Sequence, residues 1–296
     1  MVGRTRLLSF GKLDALLLLL LAGVTGFAAY RIRTGLHYTW HWSVIPQYLI
    51  RFDESSGHFV VNYLLEGLFT TCRLSFWAGL LALVVGLLMA LARSGHRLFW
   101  RLVAGCYVEL MRNIPPLVLI FIFYFFLADQ ITPLLGLDNM VTSGADWLQH
   151  LVRILFCRPA QLSTFLSAIL TLAFFEGAYM TEIIRSGIES VDLPQWEAAH
   201  ALGLTRYQTL RYIILPQALR QVLPPLAGQF ISLIKDSAIV SVISIQELSY
   251  QGTQLMASTY LTIEVWVTVA LLYLALTFPA SMGVGWLERK FARGNQ

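Results

Sequence analysis

Residues 70–92 read TTCRLSFWAGLLALVVGLLMALA, a run in which Arg73 is the single charge. About 20 predominantly apolar residues, rising 1.5 Å each, cross the ~30 Å hydrocarbon core of a bilayer as one helix, so this stretch is long enough to span. Working outward, five more stretches qualify or nearly do: 13–29, 102–127, 162–180, 223–245 and 263–287. The whole chain agrees with them. Of its 296 residues, 57% are hydrophobic and 13% charged, against about 45–50% and about 25% in soluble domains. That pairing excludes disorder, which requires low hydrophobicity and high charge. It also argues against an ordinary soluble globule, because too little polar surface remains to cover the apolar side chains. The expected fold is all-α: a polytopic membrane helix bundle of about six transmembrane helices.

Two stretches at the N-terminal side need a choice. Arg4, Arg6 and Lys12 precede the leucine run 13–29, which is also how a signal peptide is built; Gly26-Phe27-Ala28 makes a poor cleavage site, and a retained helix is favoured. Residues 59–92 as one helix would run about 50 Å, longer than the membrane is thick, so 59–69 is expected to form an extension outside or along the outer interface. The net charge is +4, but the basic residues lie in small groups between apolar runs, a pattern of membrane topology and not of nucleic-acid binding. With the N-terminus inside, inner segments carry Arg4, Arg6, Lys12, Arg93, Arg97, Arg101, Arg185, Arg206, Arg211, Arg220, Arg289, Lys290 and Arg293. Outer segments carry only Arg31, Arg33, Arg51, Arg153 and Arg158, together with Trp40, Trp42 and Trp147 for an interfacial belt. Both termini are therefore expected in the cytoplasm. Cys72, Cys106 and Cys157 show no CxxC spacing and read as small packing residues, with no metal site expected.

The longest inner connection, 182–224, is patterned. Pro194 suits a first helical turn, residues 195–202 are good helix sequence, and Gly203 is a natural terminator. Thr205 and Gln208 then form a capping box for a second helix, expected to end before Pro216. Two short helices meeting at a glycine make a compact elbow. Such an element either rests on lipid headgroups or docks another protein. A headgroup helix is rich in Lys and Arg on its polar face, and residues 195–203 contain neither, which favours docking.

Glu197-Ala198-Ala199, three residues, Gly203, nine residues, Ile213, one residue and Leu215-Pro216 resemble the EAA signature of permease subunits in bacterial ATP-binding-cassette importers. Residues 177–188 (GAYMTEIIRSGI), 107–115 (YVELMRNIP) and 235–241 (KDSAIVS) resemble the subfamily that imports polar amino acids, and the resemblance covers residues 59–290. It implies a domain layout of 1–58 (cytoplasmic tip, extra transmembrane helix and periplasmic loop), 59–290 (permease core) and 291–296 (cytoplasmic tail). It implies an inner-membrane permease that is not itself an enzyme, working with a second permease chain, identical or a sister, and two separate ATPase subunits. Those subunits would bind ATP and magnesium, with no cofactor in this chain. A periplasmic amino-acid-binding protein would deliver the substrate, with a slight lean towards glutamate, aspartate or related side chains. Glu197, Ala198, Ala199, Gly203, Ile213, Leu215 and Pro216 would then form the coupling helix and its continuation, seated in the ATPase. The chain departs from the family in the extra span 13–29 and in Asn113-Ile114, where many members have Gly-Thr.

The residues themselves are consistent with that implication. No GxxxxGK[ST] loop is present, so energy must come from an ion gradient or a partner. A gradient-driven secondary amino-acid transporter is the alternative, although the paired broken helices such carriers often repeat are not found, since the proline-rich elbow occurs once. A membrane enzyme is disfavoured by the lack of HExxH or GxSxG and by scattered histidines. Counting along the helices places Glu109, Arg112, Glu176 and Lys235 near one depth. They are candidates for the substrate path, since intramembrane charges pair or line wet cavities; the other reading is that Glu109–Arg112 and Lys235–Asp236 are internal pairs that set packing. Pro115-Pro116 supports an irregular backbone nearby. Glu66, Arg73 and Glu264 are expected near the outer interface, hydrated or snorkelling.

Overall fold

The computed structural model describes residues 11–35, 38–54, 57–95, 97–131, 136 and 141–292. Arg4, Arg6 and Arg293, with most of the expected tail, lie outside them. The chain divides into two compact units, Met1–Trp42 and Ser43–Gln296, upstream of the division expected at residue 58. In the first unit the leucine run forms helix α1, Lys12–Gly35, with Leu13, Leu16–Leu21 and Phe27 all exposed.

The second unit opens with a short helix α2 (Pro46–Leu49) and an antiparallel hairpin, β1 (Ile50–Asp53) with β2 (His58–Val61). The hairpin takes up the first residues expected to extend the next span. That span, α3, runs unbroken from Tyr63 to Arg93, capped by Asn62, whose side chain accepts the Tyr63 N–H. The expected span 102–127 is not one helix. Helix α4 (Leu98–Asn113) stops at Ile114, whose backbone is extended, and the chain bends by 111° before α5 (Pro116–Phe123) continues as a π-helical stretch to Ile131. The residue before a proline is pushed out of the α region, and two prolines in succession remove two N–H donors. Helix α6 (Asp146–Leu155) precedes α7 (Leu162–Glu189), which covers the expected span 162–180.

The elbow follows as α8 (Leu193–Ala201) and the one-turn α9 (Arg206–Gln208). The second helix does not end before Pro216 as expected. A π-helical turn, Thr209–Ile214, leads directly into α10, Leu215–Asp236, with Pro216 in its first turn. A proline ring clashes with the carbonyl four residues back; the wider π turn moves that carbonyl aside, and the Gln217 side chain donates to the Ile213 oxygen at 2.9 Å. The span expected at 223–245 thus starts earlier and ends as α-helix at Asp236, followed by a 3-10 stretch, Ser237–Ile243. Helix α11 (Leu248–Thr259), not foreseen, leads to α12 (Thr262–Ala292). Among the described residues, four helices are long and apolar enough to cross a membrane, or five if the bent α4–α5 pair is one span.

Helix α3 lies at the centre, packed most extensively on α7 and also on α4, α10 and α11. Its buried face carries Gly67, Thr71, Ser75, Gly79, Ala82, Gly86 and Ala90, spaced by three or four so that small residues form one stripe, with Ala78 beside it. Between helices in lipid the hydrophobic effect supplies little, and close backbone approach supplies the van der Waals contact. A Cβ on Gly86 would sit 2.8 Å from Met180 Cβ and 3.3 Å from the Gly177 oxygen; one on Gly177 would sit 3.3 Å from the Ala82 oxygen. The outward faces carry Leu80, Leu87 and Leu88 on α3 and Leu271, Leu274 and Phe278 on α12, all exposed, as lipid contact demands. Glu264 is an exception to its sequence expectation: it is fully buried, because α11 packs over the start of α12, with Gly252 against Val269. Arg73 likewise does more than snorkel, donating to the Arg153 and Phe156 carbonyls.

Overpacking the α3–α7 seam should be costly. Gly86→Leu is expected to lower stability by about 1–3 kcal/mol, read as a fall in the thermal midpoint in detergent. Gly105→Ala, where nothing lies within 4 Å, should not lower it.

Candidate functional site

The elbow is built by local chemistry. Pro194 occupies the first turn of α8, and Gly203 ends it with φ at +71°, a conformation that costs glycine nothing. The Gly203 N–H donates to the His200 oxygen at 2.9 Å and the Leu204 N–H to the Ala199 oxygen at 3.1 Å, the bonding that closes a helix through a left-handed residue. The expected capping box is present: Thr205 accepts the Gln208 N–H, and the Gln208 side chain accepts the Thr205 N–H. Ala199 and Ile214 are buried, whereas Glu197, Ala198, Gly203, Leu215 and Pro216 are exposed and Ile213 is half-buried. The buried side rests on a core of Ala90, Ile184, Ile188, Ala218 and Val222 with Trp196 and Leu210 against it.

Polar ties join the same end of the bundle. Arg206 Nη2 donates to the Ser94 oxygen at 2.7 Å, at the C-terminus of α3. Arg93 pairs with Glu182 across α3 and α7, and Arg185 pairs with Glu182 at 2.8 Å and with Glu189. The elbow therefore has a docked inner face and an exposed outer face.

Deeper in the bundle the four midplane candidates part company. Glu176 is fully buried; its Oε2 accepts from Gln229 Nε2 at 2.6 Å, the Asp236 carboxyl lies beside it, and its Oε1 has no hydrogen-bond partner. Arg112 is exposed and stands 5.3 Å over the Tyr179 ring, one turn along α7 from Glu176. Glu109 accepts from Asn113 Nδ2 at 3.0 Å, and Lys235 is exposed. Neither Glu109–Arg112 nor Lys235–Asp236 is an ion pair, so the packing-pair reading does not hold in this form. Gln229 is the residue that sequence reasoning missed, and Asp236, read from sequence as a partner of Lys235, lies instead beside Glu176; the i,i+7 spacing of Gln229 and Asp236 puts them on one face of α10.

A second buried carboxylate was also missed. Glu247 caps α11, accepting the Ser249 and Tyr250 N–H groups at 2.8 and 2.7 Å, and takes the Tyr273 hydroxyl at 2.8 Å and the Thr71 hydroxyl at 3.5 Å. It holds α11 to α3 and α12. Among the described residues no group of three His, Cys, Asp or Glu side chains is arranged to hold a metal ion.

Residues 82–293 match the family model "Binding-protein-dependent transport system inner membrane component". The probable glutamine ABC transporter permease protein GlnM of Bacillus subtilis (strain 168) is 34% identical over 229 residues, covering 77% of this chain and 93% of that one. The glutamine transport system permease protein GlnP of Escherichia coli (strain K12) is 32% identical, covering 81% and 98%. The glutamate/aspartate import permease protein GltK of Escherichia coli O6:H1 is 29% identical, covering 82% and 100%. In three dimensions the chain is similar to a crystal structure of an amino acid ABC transporter with histidines, with a TM-score of 0.64, 29% identity, and coverage of 86% of this chain and all of the other.

Replacing Gln229 by Leu removes the single donor to a buried carboxylate. Gln229→Leu is expected to destabilise the chain by about 1–3 kcal/mol, and Glu176→Leu combined with it should recover part of the loss in a thermal-shift measurement, since the buried polar group left without its partner is then gone.

Proposed function

Because the chain belongs to the family of binding-protein-dependent transport system inner membrane components, as an amino-acid ABC transporter permease, we propose that it carries polar amino acids across the bacterial inner membrane as the non-catalytic subunit of an ATP-driven importer. The observation that carries this reading is the elbow: exposed Glu197, Ala198 and Gly203 on one side, and a buried side seated on the ends of α3 and α7. Two partner ATPase subunits bind ATP and magnesium and grip the elbow; a second permease chain completes the path, and a periplasmic binding protein delivers the amino acid. Both termini face the cytoplasm, in keeping with the distribution of Lys and Arg.

When the ATPases close on ATP, the elbow moves with them. Its motion passes to α3 through the Arg206–Ser94 bond and to α10 through the continuous π turn, because both are short, stiff connections. The helices around the midplane then open towards the binding protein, and hydrolysis returns them, which is alternating access. Glu176 with Gln229 and Asp236, and Arg112 beside Tyr179, are the groups that meet the amino acid on its way, with Glu109 and Lys235 nearby on α4 and α10. Glutamine is the first substrate to test, since the glutamine permeases GlnM and GlnP are among the relatives. Glutamate and aspartate, towards which the sequence leaned and which GltK imports, come next.

The elbow reading is tested by Gly203→Asp and Glu197→Ala. Nothing lies within 4 Å of Gly203 and Asp is among the side chains that tolerate a left-handed backbone, so Asp fits the fold while placing a charged side chain on the exposed docking face. Import of labelled amino acid is expected to fall roughly tenfold or more, the change that about 1.4 kcal/mol of lost docking free energy produces, while the chain still inserts and ATP hydrolysis by the assembled complex continues. Full import by Gly203→Asp would remove the elbow from the mechanism. Import should also survive a protonophore while ATP is maintained; its collapse there would revive the gradient-driven carrier.

A further inference from the structure

At the end of the bundle away from the elbow, a cavity of about 380 Å³ opens between the first turns of α3, the end of α6 and the start of α7. Arg73, Arg153 and Arg158 line it with one carboxylate, Glu66, and the amides of Gln161 and Gln246. Arg73 is already engaged: its Nη1 donates to the backbone oxygens of Arg153 at 3.1 Å and Phe156 at 3.5 Å. With Trp77 Nε1 donating to the Leu155 oxygen at 2.9 Å, this moors the last turn of α6 to α3. Arg158 stands 3.6 Å from Glu66 in a loose, exposed pair. The Arg153 guanidinium has no side-chain partner among the described residues. The cavity thus holds an excess of positive charge, and a partly enclosed cleft of one sign concentrates the opposite charge. The N-terminus of α7 opens into it and adds to the positive field.

We infer that this cavity is a second amino-acid site, a waiting position at the mouth opposite the elbow and separate from the midplane path. The inference rests on the amino-acid reading given above. The chemistry of the lining matches a zwitterion part by part: Arg153 and Arg158 take the α-carboxylate, Glu66 takes the α-ammonium once Arg158 turns to the ligand, and Gln161 and Gln246 face a polar side chain. The volume lies at the small end of the range for small-molecule pockets, suited to one free amino acid. Glu176 is 15 residues beyond Gln161, which sits at the N-cap of α7, about 22 Å along the helix axis, so one molecule cannot occupy both places.

The test uses the full chain in phosphatidylcholine nanodiscs with radiolabelled L-glutamine, measuring the number bound per chain by equilibrium dialysis. Two per chain are expected, and one for the double variant Arg153→Ala/Arg158→Ala. Its fold is spared because Arg73 grips the backbone oxygen of Arg153 and not its side chain. Glu66→Gln should weaken the outer molecule about tenfold, as loss of one charge-assisted contact does, and reduce its preference over N-acetyl-L-glutamine, which lacks the ammonium. Equal binding by the wild type and the double variant would overturn the inference while leaving the midplane reading standing. No binding of L-glutamine, L-glutamate or L-aspartate by any form would also overturn the inference, whereas the midplane reading, whose path a second permease chain completes, stands or falls on the import assay. Phosphatidylglycerol retained by the wild type but lost from the double variant, with one L-glutamine bound to each, would overturn it in favour of a lipid headgroup.

Discussion

The approach of α3 to α7 is the contact on which the other elements depend. In a bilayer the apolar side chains gain nothing by choosing one another over lipid, so helices hold together where their backbones come close. Gly86, Ala82 and Gly79 on α3, opposite Gly177 and Met180 on α7 and Phe230 on α10, leave no room for a further methyl group. Once that seam is closed, α7 presents Glu176 inward, α10 can lay Gln229 against it, and the ends of the two long helices form the platform on which the elbow sits.

The departures from regular helix lie where this platform has to do more than pack. The bend at Ile114-Pro115 frees backbone groups next to Arg112, and a backbone irregularity at membrane depth is tolerated where protein or a cavity surrounds it. The π turn at Thr209–Ile214 keeps elbow and α10 in one continuous piece across Pro216. Both devices convert proline from a helix stop into a geometric feature, one by bending the chain and the other by widening a turn.

Charge is distributed along the bundle in a graded way. At the elbow end, Arg93, Glu182, Arg185 and Glu189 compensate one another. In the middle, carboxyls dominate the buried groups, with Glu176 beside Asp236. In the cavity at the far end, three arginines outnumber the single glutamate of its lining. A zwitterion entering from that end meets cations first and carboxyls later, so its two charged groups are recognised in sequence.

Membrane residence, the rough positions of the spans, and the start and turn of the elbow were all legible in the order of the residues. Those features depend on run length, on the missing N–H of Pro194, on the left-handed backbone of Gly203 and on the three-residue reach between Thr205 and Gln208, all of them local. The resemblance in the 197–216 stretch pointed to the family for the same reason, since the motif is contiguous. Only the tertiary structure decided which polar groups meet. Glu176 finds Gln229 and Asp236 rather than a cation, Glu264 is buried under α11, and Arg73 holds α6 through carbonyls 80 or more residues away. Counting residues along a helix gives depth but not the direction in which a side chain faces. That direction is settled by which backbones can approach, and here the glycines of α3 and α7 settle it.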